Sequence, residues 1–391
     1  MGRVQSSFTV NALGVSVRVE IEGGSLSAEQ FGELLEMWGA CGARGEEHPA
    51  DEGIVADVTV RRALRTPADV DDPGVVAEQA DWPVSRSFRG LSDHLASEVT
   101  AAAIEHARGR LLMLHAAALA DPGTGRVLVF VGPSGTGKTT LSRTLGRRLQ
   151  YLSDETAGIA ADGRVDPFPK PLSLRLADDG RPKRQVSPAS LSLLPAAARE
   201  YRLHRVIVLD RQPDAPRTPI VRPVAVTEAI AALTGEISYL NALEAPLQRL
   251  AEACSAGGGA VRVSYRDAAD LEPALDELLA DGEQSPDWHP LETAISTRPA
   301  TSVGHSFRRT PAIDAVADGA GLVVLKGRVV HTLNGIGPLI WSDSERARTV
   351  SELTETAVAE FGAPEGLDPE PLVRTAVDEL VSAGLLERVR A

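Results

Sequence analysis

Lysine is scarce in this chain. Of its 40 basic residues, 36 are arginine and only four are lysine: Lys138, Lys170, Lys183 and Lys326. Against that background a lysine at a chemically demanding position says more than usual. Cysteine is scarcer still. Cys41 and Cys254 stand far apart, which excludes a disulfide scaffold and a cysteine-built zinc site and suits a reducing compartment. No apolar stretch approaches the ~18 uninterrupted residues of a membrane span. The opening MGRVQSSFTV has neither the apolar core nor the small-residue cleavage site of a signal peptide. The expected location is therefore cytoplasmic, with no membrane partner. Positive charge is short as well. A formal net charge of -14 argues against nucleic acid as a partner, while leaving room for a local basic pocket.

At 391 residues the chain is too long for one core, and its 43% apolar and 24% charged content is that of an ordinary globular protein. Residues 1–95 read as a small α+β segment. It has strands at 7–10 and 15–21 about a turn at Gly14, a helix over 27–40, and a strand through Val55, Val58 and Val60. Residues 96–280 read as the main α/β domain, with a helix from about 92 to 108 and a strand over 111–119. Further strands over 126–131, 206–209 and 261–263 alternate with helices over 138–149 and 271–279. That alternation predicts a mainly parallel sheet with helices on its faces. Polar, Pro-containing residues 281–304 read as a linker. Residues 305–391 read as a further unit of short strands (315–316, 322–325, 329–333), two helices (350–361, 371–383) and a closing strand.

The strongest signal is Gly132-Pro133-Ser134-Gly135-Thr136-Gly137-Lys138-Thr139-Thr140, a fit to G-x-x-x-x-G-K-[ST] at every fixed position, with an apolar strand before it and a helical pattern after it. Glycines let backbone N–H groups close around a phosphate without Cβ clashes, and the following helix turns its positive end to the same anion. Lys138 supplies a mobile charge for the β- and γ-phosphates, and the Thr139 hydroxyl is a ligand for Mg²⁺. ATP and Mg²⁺ are the expected cofactors, with Gly132, Ser134, Gly135, Thr136, Gly137, Lys138, Thr139 and Thr140 around the phosphates.

Leu114-His115 before this loop and Asp154-Glu155 after its helix complete a pattern that resembles the HPr kinase family, whose fold is shared with phosphoenolpyruvate carboxykinase. The resemblance covers roughly residues 105–215. It implies that Asp154 is the general base on a substrate hydroxyl, that Glu155 (with Asp154 and Thr139) holds Mg²⁺, and that His115 sits near the transferred phosphoryl group. It also implies self-association, since HPr kinases form oligomers. The chemistry of the residues agrees, because phosphoryl transfer needs charge neutralisation and a carboxylate for the hydroxyl proton. The family usually has two aspartates where this chain has Asp-Glu, and the long glycine-rich signature of HPr kinases is absent downstream. A satisfied core histidine remains the alternative for His115, and a solvated turn for Asp154-Glu155. Asp210, ending the apolar run 206–209, is a rival metal ligand. Lys170 and Arg175, in a Pro-rich segment, are candidates to steady phosphate oxygens, and residues 177–185 to cap the substrate.

Residues 310–390 resemble the PqqD family of peptide-recognition domains. The carrying residues are Leu322-Val-Val-Leu325, His331-Thr-Leu333-Asn334-Gly335-Ile-Gly337-Pro338-Leu339-Ile340-Trp341, Thr349-Val350-Ser351-Glu352-Leu353 and a Gly384-Leu385-Leu386 ending. The resemblance implies a β-meander before a winged-helix-like trio, and a leader peptide added as a strand at 322–333. Ile340, Trp341, Leu353 and Leu380 are expected in the core. A DNA-reading winged helix is the alternative, but Glu352, Glu355, Glu360, Asp378 and Glu379 make its helices acidic. The fold class expected is thus α/β: an HPr-kinase-like P-loop domain with a PqqD-like domain after it. The function expected is a Ser/Thr kinase of a ribosomally synthesised precursor peptide. A small-molecule hydroxyl kinase and a non-catalytic, nucleotide-dependent peptide carrier are the alternatives.

Overall fold

In the computed structural model, which describes residues 4–22, 26–46, 56–65, 82–175, 181–282, 287–294, 305–364 and 366–390, the apolar run Arg126–Val131 forms the expected buried strand. It lies inside a six-stranded sheet ordered 220–223, 261–265, 202–211, 126–131, 116–120, 150–153. Contacts divide the chain into two units, one of residues 1–223, 235–243 and 256–283, the other of 224–234, 244–255 and 284–391.

In the first unit, strands Arg126–Val131, Arg202–Arg211 and Val261–Tyr265 are parallel, with Ile207 opposite Phe130 and Val208 opposite Val131. The sheet is not mainly parallel, however. Ala116–Ala120 runs antiparallel to its neighbours on both sides, and Ile220–Pro223 is antiparallel too. The reason is loop length: only residues 121–125 join Ala116–Ala120 to Arg126–Val131, too few for the crossover a parallel pair requires. The strand expected over 111–119 is also two strands. Leu112–Leu114 pairs with Ala157–Ile159 and Ile237–Ser238 in a second sheet, and Ala116–Ala120 stays in the first. His115 is the residue at the crossing.

The N-terminal strands Val4–Ala12 and Val15–Glu22 form the expected hairpin. Leu13 and Gly14, at φ 54° and 71°, supply the two left-handed positions of its turn. Alternate residues Val15, Val17, Val19 and Ile21 are buried, and they share a core with Leu91, Leu95 and Val99 of helix Phe88–Ala107. Val55 lies outside the described residues; Val58–Leu64 is the strand there. The helix expected over 271–279 is a 3₁₀ segment, Ala268–Ala274, running into Leu275–Leu279, because Pro273 lacks the N–H an α-helix would need.

In the second unit, Asp314–Asp318, Gly321–Lys326 and Val329–Leu333 form the expected meander, with Trp288–Pro290 added at one side and Val329–Leu333 at the other edge, unpaired on its outer side among the described residues. Leu322 and Val324 join Ile340, Trp341, Leu353, Val377 and Leu380 in one core, which places all four residues predicted to be internal. Val323 and Leu325 point to the opposite face and are buried as well, so the run LVVL is apolar throughout because both faces are covered. Helices Val226–Leu233 and Pro246–Ser255 cover that second face. They fall within residues 96–280 in sequence yet pack on this sheet. The two ends of one strand hold them. Asp314 accepts from the Leu247 and Gln248 N–H groups at 2.8 and 3.0 Å and from Gln248 Nε2 at 3.0 Å. Asp318 accepts from Thr227 N at 2.9 Å and Oγ1 at 2.7 Å. Each carboxylate thus caps a helix from outside it. Asp314 is 3% exposed, so Asp314→Ala is expected to cost about 2–3 kcal/mol in urea unfolding, while Asp162→Ala, at an exposed position, is expected to leave the urea midpoint close to wild type.

Candidate active site

Two turns build the site. After Val131 the chain enters the glycine loop. Gly132 packs so tightly that a Cβ there would lie 3.1 Å from Leu209 Cβ. Gly135 and Gly137 adopt φ 89° and 93°, and a Cβ at Gly135 would meet nothing within 4 Å, so the loop's mouth is open. Tyr265 OH donates to Thr136 O at 2.9 Å, bracing the loop from a neighbouring strand. Helix Lys138–Leu145 begins at Gly137. Lys138 Nζ donates to the Gly132 carbonyl and stands 3.8 Å from Glu236 Oε2. Burial lowers the Lys138 ammonium below its ordinary pKa, and Glu236 partly opposes this. A lysine folded onto its own loop is in reserve for an anion.

The second turn follows strand Gln150–Ser153. Ser153 Oγ accepts from the N–H groups of Glu155 at 3.2 Å and Thr156 at 3.0 Å and so curls the acidic pair toward the loop. Asp154 meets the expected neighbour: Thr139 Oγ1 donates to Asp154 Oδ2 at 2.9 Å. Tyr151 OH donates to Asp154 Oδ1 at 2.9 Å. Asp154 is 4% exposed, whereas the Glu155 side chain is 40% exposed.

Lys170 lies beneath the pair. Its Nζ is 2.7 Å from Glu155 Oε2 and 3.7 Å from Asp154 Oδ1, and the side chain is 1% exposed. It is not the free phosphate contact expected of it; it is the buried counter-ion of the two acids. Burial alone would lower its pKa, but Asp154 and Glu155 outweigh that and raise it. Burial would likewise raise Glu155, and Lys170 brings it below the usual carboxylate range. The Tyr151 hydroxyl is driven well up, by burial first and then by Asp154.

His115 is half-buried, and its backbone N–H donates to Glu236 O at 2.6 Å. Burial and then Lys138 lower its pKa, so the ring is neutral at pH 7. Glu155 and Glu236 are the charges opposing that shift, so His115, Lys138, Glu155 and Glu236 share one neighbourhood. The rival Asp210 has Oδ2 engaged by Gln212 Nε2 at 2.7 Å and Ser264 Oγ at 2.8 Å; it is Asp154 that receives the Thr139 hydroxyl.

Arg175 is exposed. Of residues 177–185, 177–180 lie outside the described residues. The rest is not a loose cap: Arg184–Val186 pairs with Leu172–Leu174, and Asp93 accepts from Lys183 N at 3.1 Å and Gln185 Nε2 at 3.0 Å.

Sequence reasoning missed Glu236, Tyr265 and Arg211, whose guanidinium lies 3.9 Å from a Cβ built on Gly137. None belongs to a motif; the sheets bring them there. Among the described residues no three His, Cys, Asp or Glu side chains gather as a metal cage.

No family model matches the chain, and no curated protein matches it. Among solved structures, the chain is similar to the HPr(Ser) kinase/phosphatase from Coxiella burnetii, with 16% identity over 43% of this chain and 92% of that one and a TM-score of 0.22. At so low a TM-score, function has to be read from the site itself. That site is a glycine-rich loop with an acidic pair beside its lysine and threonine. No helix among the described residues is long and apolar enough to cross a membrane.

Proposed function

We propose that the chain is an ATP- and Mg²⁺-dependent kinase that phosphorylates a Ser or Thr hydroxyl of a ribosomally made precursor peptide. One observation carries the phosphotransfer reading: the 2.9 Å hydrogen bond from Thr139 Oγ1 to Asp154 Oδ2, which sets an acid against the residue that follows the P-loop lysine. Thr139 and Asp154 would hold Mg²⁺, which neutralises developing charge on the phosphates when bound. The loop N–H groups and Lys138 bind and orient the γ-phosphate. Neutral His115 can offer a hydrogen bond to it.

The family resemblance assigns the proton to Asp154. The geometry supports the opposite division. Both Asp154 oxygens already accept hydrogen bonds and the residue is nearly sealed, whereas Glu155 pairs one oxygen with Lys170 and its side chain is partly exposed. A substrate hydroxyl can reach Glu155. Lys170 makes Glu155 a weak base, but in a loose phosphoryl-transfer transition state orienting the nucleophile matters more than basicity.

The peptide half of the proposal rests on the edge strand Val329–Leu333. Beside it lies a groove of about 520 Å³ shared with helix Glu370–Ser382, where an added strand finds backbone partners and side-chain room. Tethering a peptide by its leader raises the effective concentration of a nondescript hydroxyl. Mass spectrometry of precursor peptides encoded beside this gene, after incubation with Mg²⁺ and ATP, is expected to show one added phosphate that depends on Lys138. Exposed Ala383 lines the groove, and Ala383→Arg is expected to weaken leader binding at least about tenfold by filling it. That variant is a cleaner test than deleting 305–391, which would strip helices Val226–Leu233 and Pro246–Ser255 of the sheet they cover. Transfer that survives Ala383→Arg undiminished would favour a small-molecule substrate.

A further inference from the structure

The acidic pair approaches the glycine loop along one flank. The other flank faces the end of strand Arg202–Arg211. We propose that Arg211 binds phosphate oxygens of the nucleotide from that second flank, as a further cation beside Lys138. The proposal rests on the nucleotide reading of the loop and adds a phosphate-binding residue to it.

Sheet order sets the position. Strand Arg126–Val131, which feeds the loop, has Arg202–Arg211 on one side and Ala116–Ala120, then Gln150–Ser153, on the other. Asp154 and Glu155 follow Gln150–Ser153, so they and Arg211 come to the loop from opposite sides. Arg126–Val131 and Arg202–Arg211 are parallel. Arg211 therefore stands at the carboxyl ends of the strands, where ligands of open α/β sheets lie. Side chains alternate along a strand. Asp210 turns to Gln212 and Ser264, while Leu209 and Arg211 face the loop. A Cβ on Gly132 would lie 3.1 Å from Leu209 Cβ, and one on Gly137 would lie 3.9 Å from Arg211 Nη1. Tyr265 is opposite Arg211 in the parallel register and donates to Thr136 O at 2.9 Å. Two neighbouring strand ends thus meet two consecutive residues of the loop.

The guanidinium is held in place with one end unspent. Its Nε donates to Arg266 O at 3.0 Å. Its Nη2 stands 3.6 Å from Asp267 Oδ1, in a pair whose side chains are 47% and 63% exposed, and so open a pair contributes little. Nη1, the atom beside Gly137, has no hydrogen-bond partner among the described residues. The Nε bond fixes the plane of the fork, so Nη1 keeps its hydrogens for an anion at the loop. Lys138, by contrast, is folded onto Gly132 O and faces Glu236. Phosphoryl transfer spreads charge over several equatorial oxygens, more than one ammonium reaches, and a planar guanidinium matches phosphate geometry.

The experiment compares Mg·ATP with inorganic tripolyphosphate by titration calorimetry on the full chain. Arg211→Gln is expected to weaken both by about 10–100-fold, the worth of a charge-assisted hydrogen bond. Arg211→Lys keeps the charge but loses the anchor on Arg266, and should bind both at least about threefold more tightly than Arg211→Gln. Arg211→Gln within about threefold of wild type for both probes would overturn the proposal, because the arginine would then be an ordinary surface ion pair. A loss for Mg·ATP without one for tripolyphosphate would overturn it too, by placing Arg211 at the nucleoside. Equal losses in Arg211→Gln and Arg211→Lys would show that the anchor, not the charge, matters, and would reject phosphate binding. In each of these cases the loop still binds its ligand in wild-type protein. Wild-type protein that binds neither probe would remove the underlying nucleotide reading as well.

Discussion

Asp154→Asn and Glu155→Gln are expected to abolish phosphate transfer in different ways. Each should lower turnover by about 10²–10⁴-fold, the usual contribution of a positioned acid–base group. Asp154→Asn should also raise the Mg²⁺ concentration needed for half-maximal rate, because Asp154 is hydrogen-bonded to Thr139 at the place where the metal would sit. Glu155→Gln should leave the Mg²⁺ requirement close to wild type while turnover collapses. Thr139→Ala supplies the coupling test. Thr139 and Asp154 share one hydrogen bond, so their losses should be far from additive in a double-mutant cycle, whereas Thr139 and Glu155 should add more nearly. If Glu155→Gln shifts the Mg²⁺ dependence and Asp154→Asn does not, the two carboxylates have been assigned the wrong way round. If neither variant loses transfer, the acidic pair is not part of the machinery.

What was legible in the sequence is what depends on neighbours in the chain. Arg126–Val131, the glycine turn and helix Lys138–Leu145 form a continuous stretch in which apolar run, φ requirement and helical period agree, so the P-loop could be read directly. The meander Asp314–Leu333 was legible for the same reason, as its turns are short and punctuated by glycine. The acidic pair needed the P-loop as an anchor before it meant anything.

What stayed hidden depends on pairing across distance. The break at His115 has no local mark, because Leu112 to Ala120 is apolar throughout except for that residue; the split appears only when half of the run pairs with Ala157–Ile159 in another sheet. Glu236 reaches Lys138 only because Ile237–Ser238 joins that same sheet. Helices Val226–Leu233 and Pro246–Ser255 look like ordinary members of an α/β alternation, and only Asp314 and Asp318, some 70–90 residues later, show which sheet they serve. Lys170 was read, with Arg175, as a candidate phosphate contact in a Pro-rich segment, and the structure instead sets it against Asp154 and Glu155. A lysine in a Pro-rich stretch looks exposed, and nothing local says that Phe168 N–H bonds to Leu152 O at 2.9 Å and draws the segment under the acidic strand.

Lys170 supports the largest expected effect on stability. Its ammonium is enclosed with two carboxylates and also donates to Pro171 O at 3.2 Å. Lys170→Met keeps much of the volume and removes the charge. Asp154, nearly sealed, then loses its nearest cation, and Glu155 loses its ion pair. Breaking one side of a buried ionic cluster typically costs about 3–5 kcal/mol, and the same is expected here in urea unfolding at pH 7. The pH dependence identifies the cause. Lys170 has a raised pKa in the folded chain, so its stabilisation is complete at neutral pH and is lost only as pH rises past the ordinary lysine range. In Lys170→Met, Glu155 keeps the burial that raises its pKa and loses the lysine that lowers it, so its folded-state pKa should lie above that of the unfolded chain. The penalty should therefore be largest at pH 7 and shrink as pH falls through the carboxylate range near 4.5, where protonation removes the uncompensated charge. A deficit that stays constant between pH 7 and pH 4.5 would mean that the lysine's packing, not its charge, is what the acidic pair depends on. No deficit at all would mean that the pair is solvated in solution and the proposed site is not assembled.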